Sequence, residues 1–424
     1  MTVRSALLVA AFDSQLKWAA GVRGALEQQG FSCRTVIPSD VPSGFSEQQL
    51  LDYGGASGVE SLTWDQLLAQ AKRVDVVVLS VQGSFVSRFC HELHEWSLRT
   101  GERGPITVSG WVGVVLREVT AGYLDRCATD VIAVNSRSDE RTFSAVAARL
   151  GIPTDNLVLS GLPLLAGSAH HVPDDGPIGT VLYADQPTMP SARRDRLYIY
   201  QRLVDYARAH PDRTVVLKPR TRPGEETIHR MRFHPEVLLE GVELPANFSI
   251  DYTPIVERLA TLDLMLTVSS TAALEAVGAG VRTAFVSDLG VREPLGNHIF
   301  LGSGLLRTFD QISADDLGKP EPDWVDDYFV AVDDVSPVLR LAARVIELLE
   351  SGDERPGEKV RRSTFFASQY ELFDWRREQE RIEAAMPRPR FTGLRRRGRL
   401  LGQALLPSRR LLDRLGRNVS QEGR

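Results

Sequence analysis

Three stretches in the second half of the chain combine residue types that handle phosphate. In Leu266–Gly280 (LTVSSTAALEAVGAG) an apolar run gives way to Ser269, Ser270 and Thr271, where a helical pattern begins. Hydroxyls beside the free backbone N–H groups of a first helical turn form a cradle for an oxyanion or a phosphate. Glu275, one turn further on, is within reach of a sugar or ribose hydroxyl. The run Thr214–Leu217 leads directly into Lys218-Pro219-Arg220, two cations fixed by an intervening proline and suited to a polyphosphate. Thr180–Tyr183 leads into Ala184-Asp185-Gln186-Pro187, which supplies an acid and an amide.

The first half offers candidates for proton transfer and for a second substrate. Asp13 follows the first apolar run (AFDSQLKW) and is the leading general base, with Gln15 beside it as a hydrogen-bonding partner; Glu118 in VVLREV is the second choice. Gln82-Gly83-Ser84 and Gly110-Trp111-Val112-Gly113 read as loops where glycine lets a sugar approach the backbone, which makes Gln82, Ser84 and Trp111 acceptor-side candidates. His91 and His94 share a helix face, but the spacing is HELH rather than HExxH and no third ligand is in view, so no metal site is expected. Asp174-Asp175-Gly176 reads as a polar turn. There is no GxxxxGK[ST] loop, no GxGxxG after the first strand and no GxSxG elbow, so the usual supports for an ATPase, an NAD-dependent dehydrogenase or a serine hydrolase are missing.

Positioning these residues requires alternating strands and helices. Ala6–Ala11, Phe31–Ile37, Val74–Val81, Ile106–Val108, Val131–Val134 and Leu157–Ser160 read as strands, with helical spacing over Leu16–Gln29, Leu67–Lys72 and Asp139–Leu150. After a polar, Pro- and Gly-rich stretch the rhythm restarts: strands at Thr180–Tyr183, Thr214–Leu217, Leu264–Val268 and Arg282–Val286, helices at Ala192–Ala209, Pro254–Leu262 and Thr271–Ala279. Such βαβα alternation specifies two doubly wound, mostly parallel sheets, and ligands then bind outside the carboxyl ends of the strands. The expected division is 1–167, a linker at 168–179, a second domain at 180–350, helices over 351–386 and a tail at 387–424.

The chain has 424 residues, 43% hydrophobic and 25% charged, which suits two or three globular domains and excludes a disordered or fibrous protein. Cys33, Cys90 and Cys127, with no CxxC pair, read as buried thiols in a reducing compartment. Met1–Ala11 is too short and too early-ending for a signal peptide, and no run approaches the roughly 18 apolar residues of a membrane span, so a cytoplasmic protein is expected. Net charge is only −5, but Pro387–Arg424 carries 11 arginines against Asp413 and Glu422, interleaved with eight leucines. As a basic amphipathic helix this segment would hold an anionic membrane surface, at about 1 kcal/mol per basic residue near it. Its other reading is a solvated tail. With Phe391 its one aromatic residue, nucleic acid is not an expected partner.

The succession ADQP, LKPR, TVSSTAALEAVGAG resembles the nucleotide-binding half of GT-B glycosyltransferases, and among them bacterial capsule, teichoic-acid and sialyl-type transferases. Those families place a Ser-Ser pair, here Ser269 and Ser270, and a His-Pro pair around the donor phosphates. Lys218-Pro219 stands where the His-Pro pair would, so a lysine that does not titrate near neutrality replaces the histidine. The resemblance implies two Rossmann-like domains facing a central cleft, with C-terminal helices that cross back to the first. The donor, a nucleotide sugar as co-substrate, would bind in the second half through Asp185, Gln186, Lys218, Arg220, Ser269, Ser270, Thr271 and Glu275. A glycan or lipid-linked acceptor of cell-envelope or capsule type would bind in the first. No Asp-x-Asp pair is present, so metal-independent transfer without a further cofactor is expected, the protein being cytoplasmic or peripheral on the inner membrane face. A polyol-phosphate transferase or a sugar-nucleotide epimerase would share this fold, and so would a catalytically silent nucleotide-sugar or membrane-surface binding protein.

Overall fold

The computed structural model describes residues 3–40, 58–115, 118–162, 165, 173, 176–223, 231–330 and 336–385. Most of the expected linker and the whole of the 387–424 tail lie outside them. Met1–Tyr370 forms one compact unit and Glu371–Arg424 a second.

The first unit is built on two sheets. Sheet one comprises β1 (Ser5–Ala10), β2 (Ser32–Pro38), β3 (Val59–Leu62), β4 (Val76–Ser80), β5 (Ile106–Gly110), β6 (Val131–Val134) and β7 (Leu157–Leu159), ordered 3-2-1-4-5-6-7. Sheet two comprises β8 (Thr180–Ala184), β9 (Thr214–Lys218), β10 (Phe248–Ile250), β11 (Leu264–Thr267), β12 (Arg282–Val286) and β13 (Leu306–Arg307), ordered 10-9-8-11-12-13. Every pairing is parallel. The strands form where apolar residues run on without alternation because both faces are covered. In β1, Leu7 and Val9 enter the core on one face while Ala6, Leu8 and Ala10 enter the core on the other. In each sheet the strand order reverses at one point, between β1 and β4 and between β8 and β11, and these are the crevices where such sheets take ligands.

Three short edge strands, β3, β10 and β13, go beyond the expected set, since two to four residues are too few to establish a period. Gln82-Gly83-Ser84 is not a loop. Gln82 is the N-cap, and Gly83 and Ser84 open the helix Gly83–Thr100. All three cysteines are buried free thiols, and burial pushes each up to about 12.

The C-terminal helices return to sheet one. Pro337–Glu350 begins with proline at its first position, which suits a helix start. It buries Leu341, Ala342, Val345 and Leu348 against the helix Asp13–Gln28 and the β5-β6 end of the same sheet face. The expected limit of the second domain at residue 350 is therefore wrong in one respect: residues 337–350 complete the core of the first sheet, not the second. The helix Pro356–Arg361 docks beside them. A side chain at Gly357 would lie 2.6 Å from the Asp130 carboxylate and 2.7 Å from the Ala128 carbonyl, so only glycine allows that approach. Arg103 clamps Glu358 at 2.8 and 2.9 Å, and Arg361 donates to the Ala128 carbonyl at 2.9 Å. Among the described residues no helix is long and apolar enough to cross a membrane.

Truncating Leu341 leaves a cavity between the returning helix and sheet one. Leu341→Ala should lower the free energy of unfolding by about 2–5 kcal/mol in chemical denaturation. Val256→Ala, at a side chain 63–65% exposed like Val237, should stay within about 0.5 kcal/mol.

Candidate active site

In sheet two the chemistry-bearing residues stand at adjacent strand ends. Lys218 closes β9 opposite Ala184 of β8, and the Asp185 N–H donates to the Lys218 carbonyl at 2.9 Å. β8 lies between β9 and β11, so the ends of β9 and β11, from which Lys218 and Ser269 emerge, are two strand spacings apart, roughly 10 Å. Lys218 is half-buried, and among the described residues its ammonium meets only the Pro219 carbonyl, at 3.5 Å. Burial, with Arg220 and Arg258 nearby, pushes its pKa below the ordinary lysine value, against the opposing pull of Asp251.

Ser269 is 1% exposed and its hydroxyl has no hydrogen-bond partner among the described residues. A buried hydroxyl left unpaired costs about 1–3 kcal/mol, so its retention at a strand end needs a reason. Ser270 caps the turn, its Oγ accepting from the Ala272 N–H at 3.2 Å. Thr271 and Glu275 are half-buried; burial raises Glu275, opposed by Lys17.

The corresponding corner of sheet one is filled by the chain itself. A side chain at Gly83 would lie 2.5 Å from an Asp125 carboxylate oxygen, so that carboxylate packs closely against the start of Gly83–Thr100. Arg126, buried, staples two strand ends and a helix: Nε to the Gly110 carbonyl at 3.1 Å, Nη2 to the Val81 carbonyl at 3.1 Å and Nη1 to the Gly122 carbonyl at 3.0 Å. Trp111 lies with its ring 4.8 Å from Phe143 and 4.6 Å from the Arg126 guanidinium. Its expected place on an open acceptor loop gives way to a packed stack. Gln15 is likewise structural: buried, its Oε1 accepts from the Ala11 N–H at 2.9 Å and shapes the turn after β1. Gln82, Ser84 and Glu118 are exposed, and Glu118 holds a left-handed backbone (φ 52°) just before the helix Val119–Leu124.

The two edges meet. Asp13, in the first turn of Asp13–Gln28 and capping nothing, pairs with Arg220 at 3.2 Å. A side chain on Gly113, beyond β5, would lie 3.2 Å from the Thr271 hydroxyl, so these loops touch as well. Lys17, one turn after Asp13, is the cation closest in influence to Glu275. The leading base candidate and Arg220, a candidate phosphate ligand, thus come together from opposite halves.

Asp185 does not belong with them. Its side chain is fully buried, held by Arg196 at 2.8 and 3.1 Å and by the Tyr200 hydroxyl at 2.6 Å. With both oxygens so engaged it faces no ligand, and the sequence reading of it as a donor contact is corrected. Gln186 is half-buried, and its backbone carbonyl, too, is bound by Arg196.

Sequence reasoning missed the loops behind Lys218. Asp251, at the end of β10, binds Arg258 and the Thr253 hydroxyl; although burial opposes it, the Thr253, Arg258 and Tyr252 contacts hold it down to about 2. His234 is buried, with Nδ1 accepting from the Glu236 N–H at 3.2 Å, so Nε2 carries the proton and donates to the Thr221 carbonyl at 3.1 Å. A His-Pro pair is therefore present at His234-Pro235, where it anchors the chain just after Arg220. The dipeptide itself was the available signal, overlooked because it follows no strand. His91 and His94 pack on Phe366 at 4.7 and 5.3 Å, and among the described residues no three His, Cys, Asp or Glu side chains are grouped to hold a metal ion.

Two doubly wound sheets facing a central cleft, with C-terminal helices crossing back to the first, constitute the GT-B fold. Residues 6–345 match the family described as "Putative glycosyltransferase (DUF6716)", and the chain belongs to that family. In fold it is similar to UDP-GlcNAc 2-epimerase from Neisseria meningitidis, solved with UDP-GlcNAc bound, at a TM-score of 0.50 and 10% identity over 81% of this chain and 99% of that one. A second UDP-N-acetylglucosamine 2-epimerase gives 0.50 and 12% over 84% and 99%. The lipopolysaccharide outer core galactosyltransferase WaaB, without ligand, gives 0.50 and 10% over 81% and 99%. At these identities the likeness is one of fold. No curated protein sequence matches the chain.

Two truncations separate architecture from ligand contact. Asp185→Ala strands the Arg196 charge in the interior and should cost about 3–5 kcal/mol of stability. Ser269→Ala removes a buried hydroxyl without a partner among the described residues and should leave stability unchanged or raise it by about 1–3 kcal/mol, both read from denaturant midpoints.

Proposed function

We propose that the protein transfers a sugar from a nucleotide-activated donor to a glycan or lipid-linked acceptor of the cell envelope or capsule, without a metal ion. The observation that carries this reading is the ion pair of Arg220 with Asp13 across the cleft, with Lys218 near enough to Arg220 to feel its charge. The donor's diphosphate takes the place opposite Lys218 and Arg220, with the Ser269 hydroxyl turned to it as an additional donor. Fixed cations in a partly desolvated crevice stabilise the charge that builds on the departing phosphate, with no reorganisation at the moment of reaction. Glu275 holds a hydroxyl of the nucleotide or sugar. Asp13, released from Arg220 once phosphate claims the guanidinium, takes the proton from the acceptor hydroxyl.

The two halves support this division of labour. In sheet one the Asp125 carboxylate packs against the helix start at Gly83, whereas the equivalent corner of sheet two holds a hydroxyl without a partner among the described residues, two strands from Lys218. The donor therefore belongs to the second half and the acceptor to the first. An acceptor of envelope type is delivered at a membrane surface, and the arginine- and leucine-rich segment 387–424 fits a peripheral position on the inner face. A second reading, sugar-nucleotide epimerisation, is favoured by the epimerases of the same fold and needs no acceptor.

Thermal shift against UDP-, GDP-, CDP- and CMP-linked sugars tests the donor. One nucleotide class should stabilise the protein, by about 2.7 kcal/mol at 100 times its Kd, and Lys218→Ala should weaken that binding about tenfold or more. A protein indifferent to every nucleotide sugar would refute the reading. Release of nucleotide only when a glycan or lipid extract is added distinguishes transfer from epimerisation. Asp13→Asn should bind the donor as well as the wild type or a few-fold better, since an exposed ion pair is worth under about 1 kcal/mol. It should also lose about a hundredfold or more in turnover; unchanged turnover would remove Asp13 from the role of base.

A further inference from the structure

Asn135, directly after β6, is 1% exposed and gives its amide protons to one short stretch of chain. Its Nδ2 donates to the Trp111 carbonyl at 3.1 Å and to the Gly113 carbonyl at 2.8 Å. The strand register explains the reach. β5 and β6 pair with Gly110 opposite Ala133, and continuing that register sets Asn135 opposite Val112, between the two carbonyls. Asparagine suits the place because it carries two N–H donors on a short, uncharged stem; serine has one donor and ionised aspartate none.

The strap that Asn135 holds, 111–115, reaches into three cores. Trp111 packs against the core on one face of sheet one and Val112 against the core on the other. Val114 packs against the cluster that joins Leu162 to Ala273, Leu274 and Phe285 of the second half. Between them, a side chain on Gly113 would lie 3.2 Å from the Thr271 hydroxyl oxygen. Thr271 stands at the start of the helix Ala272–Gly278 and directly follows Ser269 and Ser270. The two bonds of Asn135 therefore set the surface on which the first half meets the donor-side turn of the second.

We propose that Asn135 is a positioning residue for sugar transfer: by holding Trp111 and Gly113 it fixes the acceptor half against the Ser269–Thr271 turn. It acts through the strap and needs no contact with either substrate. A misplacement of about 1 Å between reacting groups can cost about a hundredfold in rate, so two buried bonds at this joint bear on turnover. The catalytic consequence rests on the donor reading proposed above, whereas the mechanical coupling does not.

Hydrogen exchange and nucleotide-sugar affinity on the full chain test this together, with the UDP-, GDP-, CDP- and CMP-linked sugars as probes. Asn135→Ala should speed amide exchange about tenfold both in 111–115 and across the joint in 271–275. It should also weaken binding of the preferred nucleotide sugar about threefold or more. Asn156→Ala is the matched control. Asn156 is equally buried and bridges the Cys127 and Thr129 carbonyls at 2.7 and 3.0 Å, but at the opposite edge of sheet one. It should leave exchange at 271–275 and the affinity unchanged. Asn135→Asp, a donor only while protonated, should exchange like Asn135→Ala at about pH 8 and more slowly at about pH 5, after correction for intrinsic rates. Should Asn135→Ala fail to fold, Gly113→Ala strains the same joint from the strap and should give the same two changes. Faster exchange confined to 111–115, or equal loss of affinity in Asn156→Ala, would overturn the positioning role. A wild type that binds no nucleotide sugar would defeat the donor reading, and with it the catalytic consequence, while exchange at 271–275 still decides the coupling.

Discussion

Parallel pairing in both sheets is the constraint from which the cleft follows. A parallel strand must return over the face of its sheet, so all the strand ends that carry chemistry emerge along one edge. Here the two edges confront one another, and the contacts between them come from residues a few positions beyond the strands: Asp13 after β1, Gly113 after β5, Arg220 after β9 and Thr271 after β11. None of these contacts is strong. The Asp13–Arg220 pair is about two-fifths exposed on both sides, so its value lies in placing a carboxylate and a guanidinium together in a form that a competing anion can divide.

The asymmetry between the halves is equally a matter of what fills each crevice. In sheet one, Asp125, Arg126 and Trp111 form a closed packing unit at the ends of β4 and β5, one strand from the point where the order reverses. In sheet two the buried Asp185–Arg196–Tyr200 network sits directly beneath the crevice and braces β8, while Lys218 and Ser269 flank it with polar groups poorly satisfied by protein. A rigid, fully bonded support under an under-bonded rim is the arrangement that pre-organises a site without cost at the moment of binding.

Much of this could be read in the sequence, and the failures have physical causes. The central strands were legible because burial on both faces makes an unbroken apolar run, as in Val76–Ser80. The crossing helices were legible from spacing, but not the sheet on which they pack, since period reveals a buried face and not its partner. Asp185 was misread because an acid after a strand looks the same whether it faces solvent or a guanidinium 11 residues on; Arg196, on the following helix, was the hidden term. Trp111 and Gln15 were misread for the same reason, their partners Phe143 and the Ala11 N–H being fixed only by the tertiary fold. Lys218, Arg220, Ser269 and Asp13 stand at the strand ends expected of them because strand-end position alone determines the edge on which a residue stands.

The returning helices make the first half of the molecule discontinuous. Leu341, Val345, Val360 and Phe366 are integral to the cores around β1–β7, yet they are among the last parts of this unit to leave the ribosome. Until they arrive, sheet one has an apolar surface exposed along the helix Asp13–Gln28, whereas β8–β13 can close their own core first. The half that is made first is thus finished second, and a nascent chain halted near residue 330 would present a completed second domain tethered to an unsealed first one.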